Sequence, residues 1–230
     1  MSADQQGFFP TTPTEAMGPL LREKVVVAGK RFLIRRPARS DRLEAHPAVQ
    51  AAYREDEYLP YWTELWPAAR MLAKVVLSEK WAPGSTALEI GCGLGLPGIA
   101  ALARGFRVTF SDCDETALGF AADNAHLNGF LDFDLMRLDW RAPPPSLRFP
   151  VLLGSDLVYE LRNINPLVTL IKQVLLPGGL CLLTDQHRLP AYNLQEALEG
   201  EGLAFTTQAM RAGEPGGRRV KGILYRITRP

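Results

Sequence analysis

The sequence has few cysteines, almost no net charge and no long apolar run, and each shortage excludes a class of protein. Its three cysteines (Cys92, Cys113 and Cys181) are far apart, form no CxxC pair and have no histidine cluster near them, so neither a disulfide framework nor a metal site is predicted. The formal net charge of +1 gives no overall attraction for nucleic acid or an anionic membrane. The apolar runs are shorter than the roughly 18 residues that a membrane span needs.

Other features of composition point to an ordinary globular enzyme. Basic residues gather within residues 31–42 and 218–221, which we interpret as two solvated faces rather than as a nucleic-acid surface. The first ten residues lack the charged segment and apolar core of a signal peptide, so a reduced, cytoplasmic location is expected. With 230 residues, 47% of them hydrophobic, the chain has room for one large domain and a modest N-terminal extension.

The N-terminal extension is assigned to residues 1–57, on the substrate side of the fold. Residues 1–19 carry three prolines and little periodicity, so a loose arm is expected there. Residues 24–34 predict two short strands that turn at Ala28 and Gly29. A partly helical stretch leads from there to residue 57, and residues 58–230 form the main domain.

Strands and helices alternate from Ser85 onwards, which is typical of a parallel sheet with right-handed crossovers. The predicted strands are 86–90, 107–111, 133–138, 151–155 and 180–184, and the predicted helices are 67–78, 96–104, 114–128 and 164–175. Residues 203–210 and 222–228 then predict an antiparallel hairpin at the sheet edge. The fold class is therefore α/β, a Rossmann-like sheet of seven strands with helices on both faces.

The strongest local signal is the glycine-rich run Glu89-Ile-Gly-Cys-Gly-Leu-Gly-Leu-Pro-Gly98, which lies between a predicted strand and a predicted helix. Glycines allow ligand atoms to approach the backbone because no Cβ is in the way. From Gly93 the run also has the G-x-G-x-x-G spacing of dinucleotide-binding proteins, so by itself it leaves an NAD enzyme open.

Three features favour a nucleoside ligand without a pyrophosphate. The strand ends before Gly91, two residues too early for Gly93 to be the first glycine of the dinucleotide fingerprint. Glu89 is placed to reach a cationic amino-acid group through water or through the loop. Asp112 ends the second strand, where it can accept both ribose hydroxyls, although an NAD site would use the same acid.

Two later motifs add to the predicted ligand site. In Leu138-Asp139-Trp140 the carboxylate can take an adenine amino proton and the indole can stack on the ring. Asp156-Leu-Val-Tyr159 follows the fourth strand, at the carboxyl edge where open α/β sheets bind ligands.

Taken in order, these motifs resemble those of the seven-strand lysine methyltransferases that use S-adenosylmethionine. The resemblance extends over roughly residues 58–190 and is carried by Tyr58-Leu-Pro-Tyr-Trp-Thr-Glu-Leu-Trp-Pro67, EIGCGLGLPG, LDW, D-x-x-Y and PGG. The first of these runs is most similar to the branch that acts on the electron-transfer flavoprotein β-subunit, with its bacterial relatives. The residues that the resemblance implies in cofactor contact are Trp66, Gly91, Gly93, Asp112, Trp140 and Ser155, and those it implies on the acceptor side are Asp156 and Tyr159. Ser155 departs from the alanine that relatives often have.

The predicted activity is N-methylation of a lysine on a protein substrate. Methyl transfer is an in-line displacement, so it needs positioning more than acid–base help. A carboxylate such as Asp156 raises the pKa of a bound amine, so we assign it to binding and aiming that amine, and we assign deprotonation to desolvation and water. Three alternatives stay open: a small amine or pyridine-like acceptor, a non-catalytic module that binds the cofactor, and an NAD enzyme.

Single residues have structural alternatives as well. Tyr61, Trp62 and Trp66 are candidates for offering aromatic faces to the cation of the cofactor or of the acceptor, with Trp62 in the acceptor cleft. Trp62 and Trp66 are also four positions apart, so both are candidates for covering the sheet, and Tyr159 is a candidate for packing alone. Asp156 is a candidate for capping the helix that follows it. His187 follows the fifth strand and is a further candidate for the pocket mouth.

Overall fold

The computed structural model describes residues 8–39, 41–186, 191–213 and 219–230. The strands in these ranges are β1 (Leu20–Val27), β2 (Lys30–Pro37), β3 (Thr86–Ile90), β4 (Arg107–Asp112), β5 (Asp134–Arg137), β6 (Phe149–Ser155), β7 (Leu175–Asp185), β8 (Ala204–Ala212) and β9 (Val220–Thr228). The α-helices are α1 (Asp41–Glu44), α2 (Pro47–Asp56), α3 (Pro67–Ser78), α4 (Leu96–Leu102), α5 (Glu115–Leu127), α6 (Ile164–Val174) and α7 (Ala191–Gly200). Short 3₁₀ turns lie at Thr14–Met17, Tyr61–Thr63 and Leu161–Asn163.

Strands β3 to β9 form one sheet in the order β5-β4-β3-β6-β7-β9-β8. The first five strands in this order are parallel, whereas β9 runs antiparallel to both β7 and β8. The C-terminal hairpin is thus added at the sheet edge with β9 on the inside. The predicted fold class is confirmed.

The sheet separates two apolar layers. On one face, α3, α4, α5 and the β1–β2 hairpin bury a core that includes Leu72 and Phe110. On the other face, α6 and α7 bury a core that includes Ile171 and Tyr225. Central strands that are covered on both faces become almost continuously apolar, which is why Thr86–Ile90 was recognisable as a strand.

The β1–β2 hairpin packs over helix α5. Its turn is at Ala28 and Gly29, whose φ values of 48° and 79° fit a tight turn with the right-handed strand twist, as predicted. The open edge of β2 is bound by two asparagine side chains, that of Asn124 in α5 and that of Asn128 at its C-cap. Asn124 Oδ1 accepts the Arg35 amide at 2.7 Å and Asn128 Oδ1 accepts the Leu33 amide at 2.9 Å.

The structure differs from the sequence-based prediction in three places. Residues 8–19 are not a loose arm, because Thr12 is only 2% exposed and hydrogen-bonded to Asp114. Pro177-Gly178-Gly179 is a bulge inside β7 rather than a turn before it: Phe149 of β6 pairs with Leu175 and Val151 with Leu180. Helix α7 was not predicted.

Two further points concern the described part of the chain. None of its helices has the length and apolarity to cross a membrane. No group of three or more His, Cys, Asp or Glu side chains in it is arranged to hold a metal ion. His187, a sequence candidate for the pocket mouth, lies outside the described residues.

Candidate active site

The carboxyl ends of β3, β4 and β6 open into a cavity of about 390 Å³, which falls in the usual range for small-molecule sites. All of the predicted site residues except Glu89 line it: Trp66, Gly91, Gly93, Asp112, Asp139, Trp140, Ser155, Asp156 and Tyr159. The parallel topology brings together residues from Gly91 to Tyr159, which are 68 positions apart, because each lies at the end of a strand or follows one and all these strands end at the same edge. Trp66 reaches the cavity from the start of α3 instead.

The glycine loop after β3 forms the floor of the cavity. Gly91, Gly93 and Gly95 have φ values of +57°, +51° and +78°, which are rarely adopted by other residues. A Cβ at Gly91 would lie 2.7 Å from Leu157 Cδ2 and 3.5 Å from the Trp140 ring. The loop therefore needs glycine both for its backbone conformation and for the space above it.

Glu89 lies beneath this loop and is 1% exposed. Its carboxylate accepts the amide of Gly98 at 2.9 Å and so ties the start of α4 to β3. Burial raises the pKa of Glu89 well above its usual range, although the Gly98 hydrogen bond opposes the shift. Glu89 was predicted to reach a ligand either through water or through the glycine loop. Its burial beneath the loop fits the second of these.

Asp112 faces the cavity from the end of β4. Its Oδ2 accepts the Gly93 amide at 3.0 Å and its Oδ1 accepts the Asp114 amide at 3.1 Å. These bonds fix the carboxylate and occupy two of its roughly four lone-pair positions. Burial outweighs the hydrogen bonds and raises the pKa of Asp112 to about 6.

Asp139 lines the cavity but is already extensively hydrogen-bonded. Its Oδ1 accepts the amide and the Nε of Arg141, and its Oδ2 accepts the Arg141 guanidinium at 2.8 Å and the Phe8 amide at 2.7 Å. Burial disfavours the charged form, but these donors prevail and lower the pKa of Asp139. An adenine amino group can bind Asp139, as predicted, only by displacing one of them.

Asp156 sits where β6 ends, on the acceptor side of the cavity. Its φ of +59° is unusual for a residue other than glycine, and such backbone strain clusters at functional sites. Its amide donates to the Thr184 carbonyl at 2.7 Å, and its carboxylate accepts the side-chain amide of Gln186. Asp156 does not cap the next helix, because Asn163 occupies the N-cap of α6.

Three aromatic side chains stand at the mouth of the cavity. The Tyr61 ring lies edge-on to Tyr159 at 5.2 Å and to Trp66 at 6.4 Å between centroids, and Trp66 Nε1 donates to the Tyr61 carbonyl at 2.8 Å. Tyr61 and Tyr159 are 40% and 36% exposed, so neither is an ordinary core residue.

Trp62, by contrast, has its indole in the core although its backbone borders the cavity. The ring packs on Phe120 at 5.0 Å, and Nε1 donates to Asp114 Oδ2 at 3.0 Å. Of the two roles that the sequence left open for Trp62, packing in the core and contact with a bound cation, the structure shows packing.

Asp114 is the main residue that sequence reasoning underestimated. It was predicted only as the cap of α5, and it does accept the Thr116 amide at 2.7 Å. Its fully buried carboxylate also accepts the amide and hydroxyl of Thr12, the Tyr58 hydroxyl and the Trp62 indole. Asp114 therefore joins the N-terminal segment at Thr12, the segment that holds Tyr58 and Trp62, and the start of α5. Only the cap left a signal in the sequence.

Comparison with known proteins identifies the family. A family model described as lysine methyltransferase matches residues 53–197. The chain belongs to this family. The cofactor is S-adenosylmethionine, so the predicted family and cofactor are confirmed.

Two curated relatives match about half of this chain at modest sequence identity. The histidine protein methyltransferase 1 homolog of Dictyostelium discoideum is 32% identical over 133 residues, which are 54% of this chain and 42% of that protein. The histone-arginine methyltransferase METTL23 of Rattus norvegicus is 29% identical over 121 residues, which are 50% of this chain and 54% of that protein. The chain thus spans about half the length of these curated relatives.

Solved structures agree on the fold. The ribosomal protein L11 methylase of Lactobacillus delbrueckii subsp. bulgaricus superposes with a TM-score of 0.58 at 22% identity, over 70% of this chain and 78% of that one. The N-methyltransferase NodS of Bradyrhizobium japonicum, in complex with S-adenosyl-L-homocysteine, gives a TM-score of 0.55 at 18% identity, over 84% of this chain and 94% of that one.

The cavity fits this cofactor on its own geometry. At Gly91 a Cβ would crowd Leu157 and the Trp140 ring, so glycine keeps this floor open, and Asp112 presents a fixed carboxylate that can accept ribose hydroxyls. Trp140 lies over the same floor and offers a ring face. The contacts of individual residues with the cofactor stay predictions.

Proposed function

We propose that the chain transfers the methyl group of S-adenosylmethionine to the side-chain nitrogen of a lysine in a protein. The observation that carries the proposal is that the buried carboxylate of Asp156 and the partly exposed rings of Tyr61 and Tyr159 line the same cavity. A carboxylate and aromatic faces together suit a cationic amine, each ring contributing ~0.5–2 kcal/mol.

The charges around the mouth support a cationic acceptor. Acidic residues outnumber basic ones in the outer lining, where Asp56, Glu57, Glu64 and Glu160 stand against Arg141 and Arg162. Arg162 and Arg141 are held in ion pairs with three of these acids. Glu64 is itself paired with Arg36, so these four acids stand against three arginines. The small negative excess that remains attracts an ammonium group rather than repelling it.

The residues of the chain position the acceptor more than they activate it. When bound, S-adenosylmethionine would supply an electrophilic methyl carbon, which would pass from its sulfur to the amine nitrogen in one displacement. Asp156 binds and aims the amine, and the rings of Tyr61 and Tyr159 hold it and exclude water. Because a lysine has a pKa of ~10.4, it must lose its proton to water before attack, and desolvation in the mouth favours the neutral form.

The relatives support a nitrogen acceptor on a protein. The family description is lysine methyltransferase, and the two curated relatives are named for histidine and for histone arginine. We favour lysine because Asp156 and the rings offer a compact cation-binding site, whereas a neutral imidazole has less to gain from them.

The test uses the methyl-labelled cofactor with a cell lysate, followed by hydrolysis of the labelled protein. Label is expected in a discrete protein band and as methyl-lysine. Asp156→Asn should keep the affinity for S-adenosylhomocysteine within about twofold while lowering transfer roughly 100-fold, the scale of a lost positioning contact. Asp132→Asn, an exposed change, is the matched control.

Other outcomes lead elsewhere. Label confined to small molecules would favour a small-amine acceptor, and methyl-arginine or methyl-histidine would replace lysine. Cofactor binding without any transfer would favour a non-catalytic module. Full activity in Asp156→Asn would remove this carboxylate from the acceptor site.

A further inference from the structure

Residues 8–12, here called the strap, cross the end of the cavity marked by Asp139 and Trp140. They form neither helix nor strand. The amide of Phe8 donates to Asp139 Oδ2 at 2.7 Å, and the Arg137 guanidinium donates to the carbonyls of Phe9 and Pro10 at 2.7 and 3.1 Å. The strap is thus bound to the protein through its backbone groups.

The two ends of the strap are held differently. Thr12 is 2% exposed and bonds to the buried Asp114 through both its amide and its hydroxyl. Phe8 is only partly buried, and its backbone contact is with Asp139. Thr12 is thus the more firmly held end of the strap.

The side chain of Phe8 itself lines the cofactor cavity. Its ring lies 5.9 Å from the Tyr58 ring between centroids, and the guanidinium carbon of Arg141 lies 5.8 Å from its centroid. The ring is therefore held between two groups of the cavity wall. The next residue, Phe9, is placed differently: its ring is 43% exposed, lies 5.1 Å from the Arg137 guanidinium and is outside this cavity.

We propose that Phe8 is a cofactor-binding residue and that the strap covers the adenosine end of the pocket, so that cofactor leaves only after the Phe8–Asp139 hydrogen bond opens. Asp139 is the fixed anchor of the cover, since its lone pairs are taken up by Phe8 and Arg141. This role is independent of the acceptor and goes beyond the proposed function.

The test compares Phe8→Ala with Phe9→Ala in the full chain. The dissociation rate of S-adenosylhomocysteine is measured by stopped-flow fluorescence, with Trp140 in the cavity as a reporter. Phe8→Ala should release the ligand roughly tenfold faster while the association rate changes less than about threefold, because lost contacts act mainly on dissociation. Phe9→Ala should stay within about twofold of the unmodified chain.

Hydrogen exchange of the unmodified chain gives a second readout that needs no variant. Amides of the strap should exchange more slowly when S-adenosylhomocysteine is bound, because the occupied pocket holds the cover shut. Equal dissociation rates for the two variants, or equal exchange with and without ligand, would overturn the strap proposal alone. An unmodified chain that binds no S-adenosylhomocysteine in calorimetry would overturn the cofactor assignment with it.

Discussion

The affinity for the cofactor product should fall as the pH drops through about 6, because Asp112 accepts ribose hydroxyls best as a carboxylate. In the free protein, burial raises the pKa of Asp112 to about 6. A ligand that donates hydrogen bonds to the charged form lowers this pKa and expels the proton. Binding is therefore strongest above pH 6 and is lost progressively below it.

The magnitude follows from the fraction of Asp112 that is ionised. If only the carboxylate form binds, the dissociation constant is multiplied by one plus ten raised to the difference between pKa and pH. This factor is about 1 at pH 7.5 and about 11 at pH 5, so the affinity should fall roughly tenfold, which corresponds to ~1.4 kcal/mol.

Calorimetry with S-adenosylhomocysteine between pH 5 and 7.5 measures this effect. Asp112→Asn is the control: its affinity should be weaker by ~1.5–3 kcal/mol at pH 7.5, and any pH dependence that it keeps belongs to other groups. A flat profile for the unmodified chain, or the same slope in Asp112→Asn, would refute the reasoning.

Two further predictions concern the floor of the site and its support. Gly91→Ala should weaken cofactor binding at least tenfold in calorimetry, because the new Cβ would meet Leu157 Cδ2 at 2.7 Å and disturb the floor of the cavity. Gly105→Ala is the control, since Gly105 also has a positive φ but its Cβ would meet nothing within 4 Å, and this variant should bind normally. Equal affinities of the two variants would contradict the role of Gly91 in the floor. Asp114→Ala should lower the free energy of unfolding in urea by about 3 kcal/mol or more, because five donor groups lose their acceptor. Asp132→Ala, a change at an exposed residue, is the control, and an equally small loss of stability in both variants would contradict the role of Asp114.

The fold was largely predictable because its signals are local. Strands such as Thr86–Ile90 are short apolar runs bounded by turn residues, and parallel crossovers follow from their alternation with helices. Helix α7 was missed although Leu194 and Leu198 have the right spacing and both are fully buried. At the Pro177-Gly178-Gly179 bulge the turn chemistry was recognised, but the pairing on both sides of it depends on β6, which no local pattern reveals.

The site was predictable where topology alone decides. Asp112, Asp139 and Asp156 each follow a parallel strand, so their meeting at one edge was expected, and all three line the cavity. The different fates of Trp62 and Trp66 were not predictable. Two residues four positions apart share a face only on a continuous helix. Here the 3₁₀ turn ends at Glu64, whose backbone is extended, so the Trp62 indole lies in the core and the Trp66 indole lies at the mouth of the cavity.

The strap shows why the remaining contacts escaped sequence reasoning. Its contacts join residues more than 100 positions apart, such as Phe8 with Asp139 and Thr12 with Asp114. Prolines and missing periodicity suggest a loose arm, yet a chain stiffened by proline also loses less entropy when it is ordered. Its backbone groups are satisfied by Asp139, Arg137 and Asp114 instead of by a strand partner. Because Asp139 both anchors the strap and lines the cavity, a change at Asp139 should alter cofactor exchange together with affinity, whereas Phe8→Ala removes only the ring and leaves the backbone hydrogen bond and the carboxylate in place.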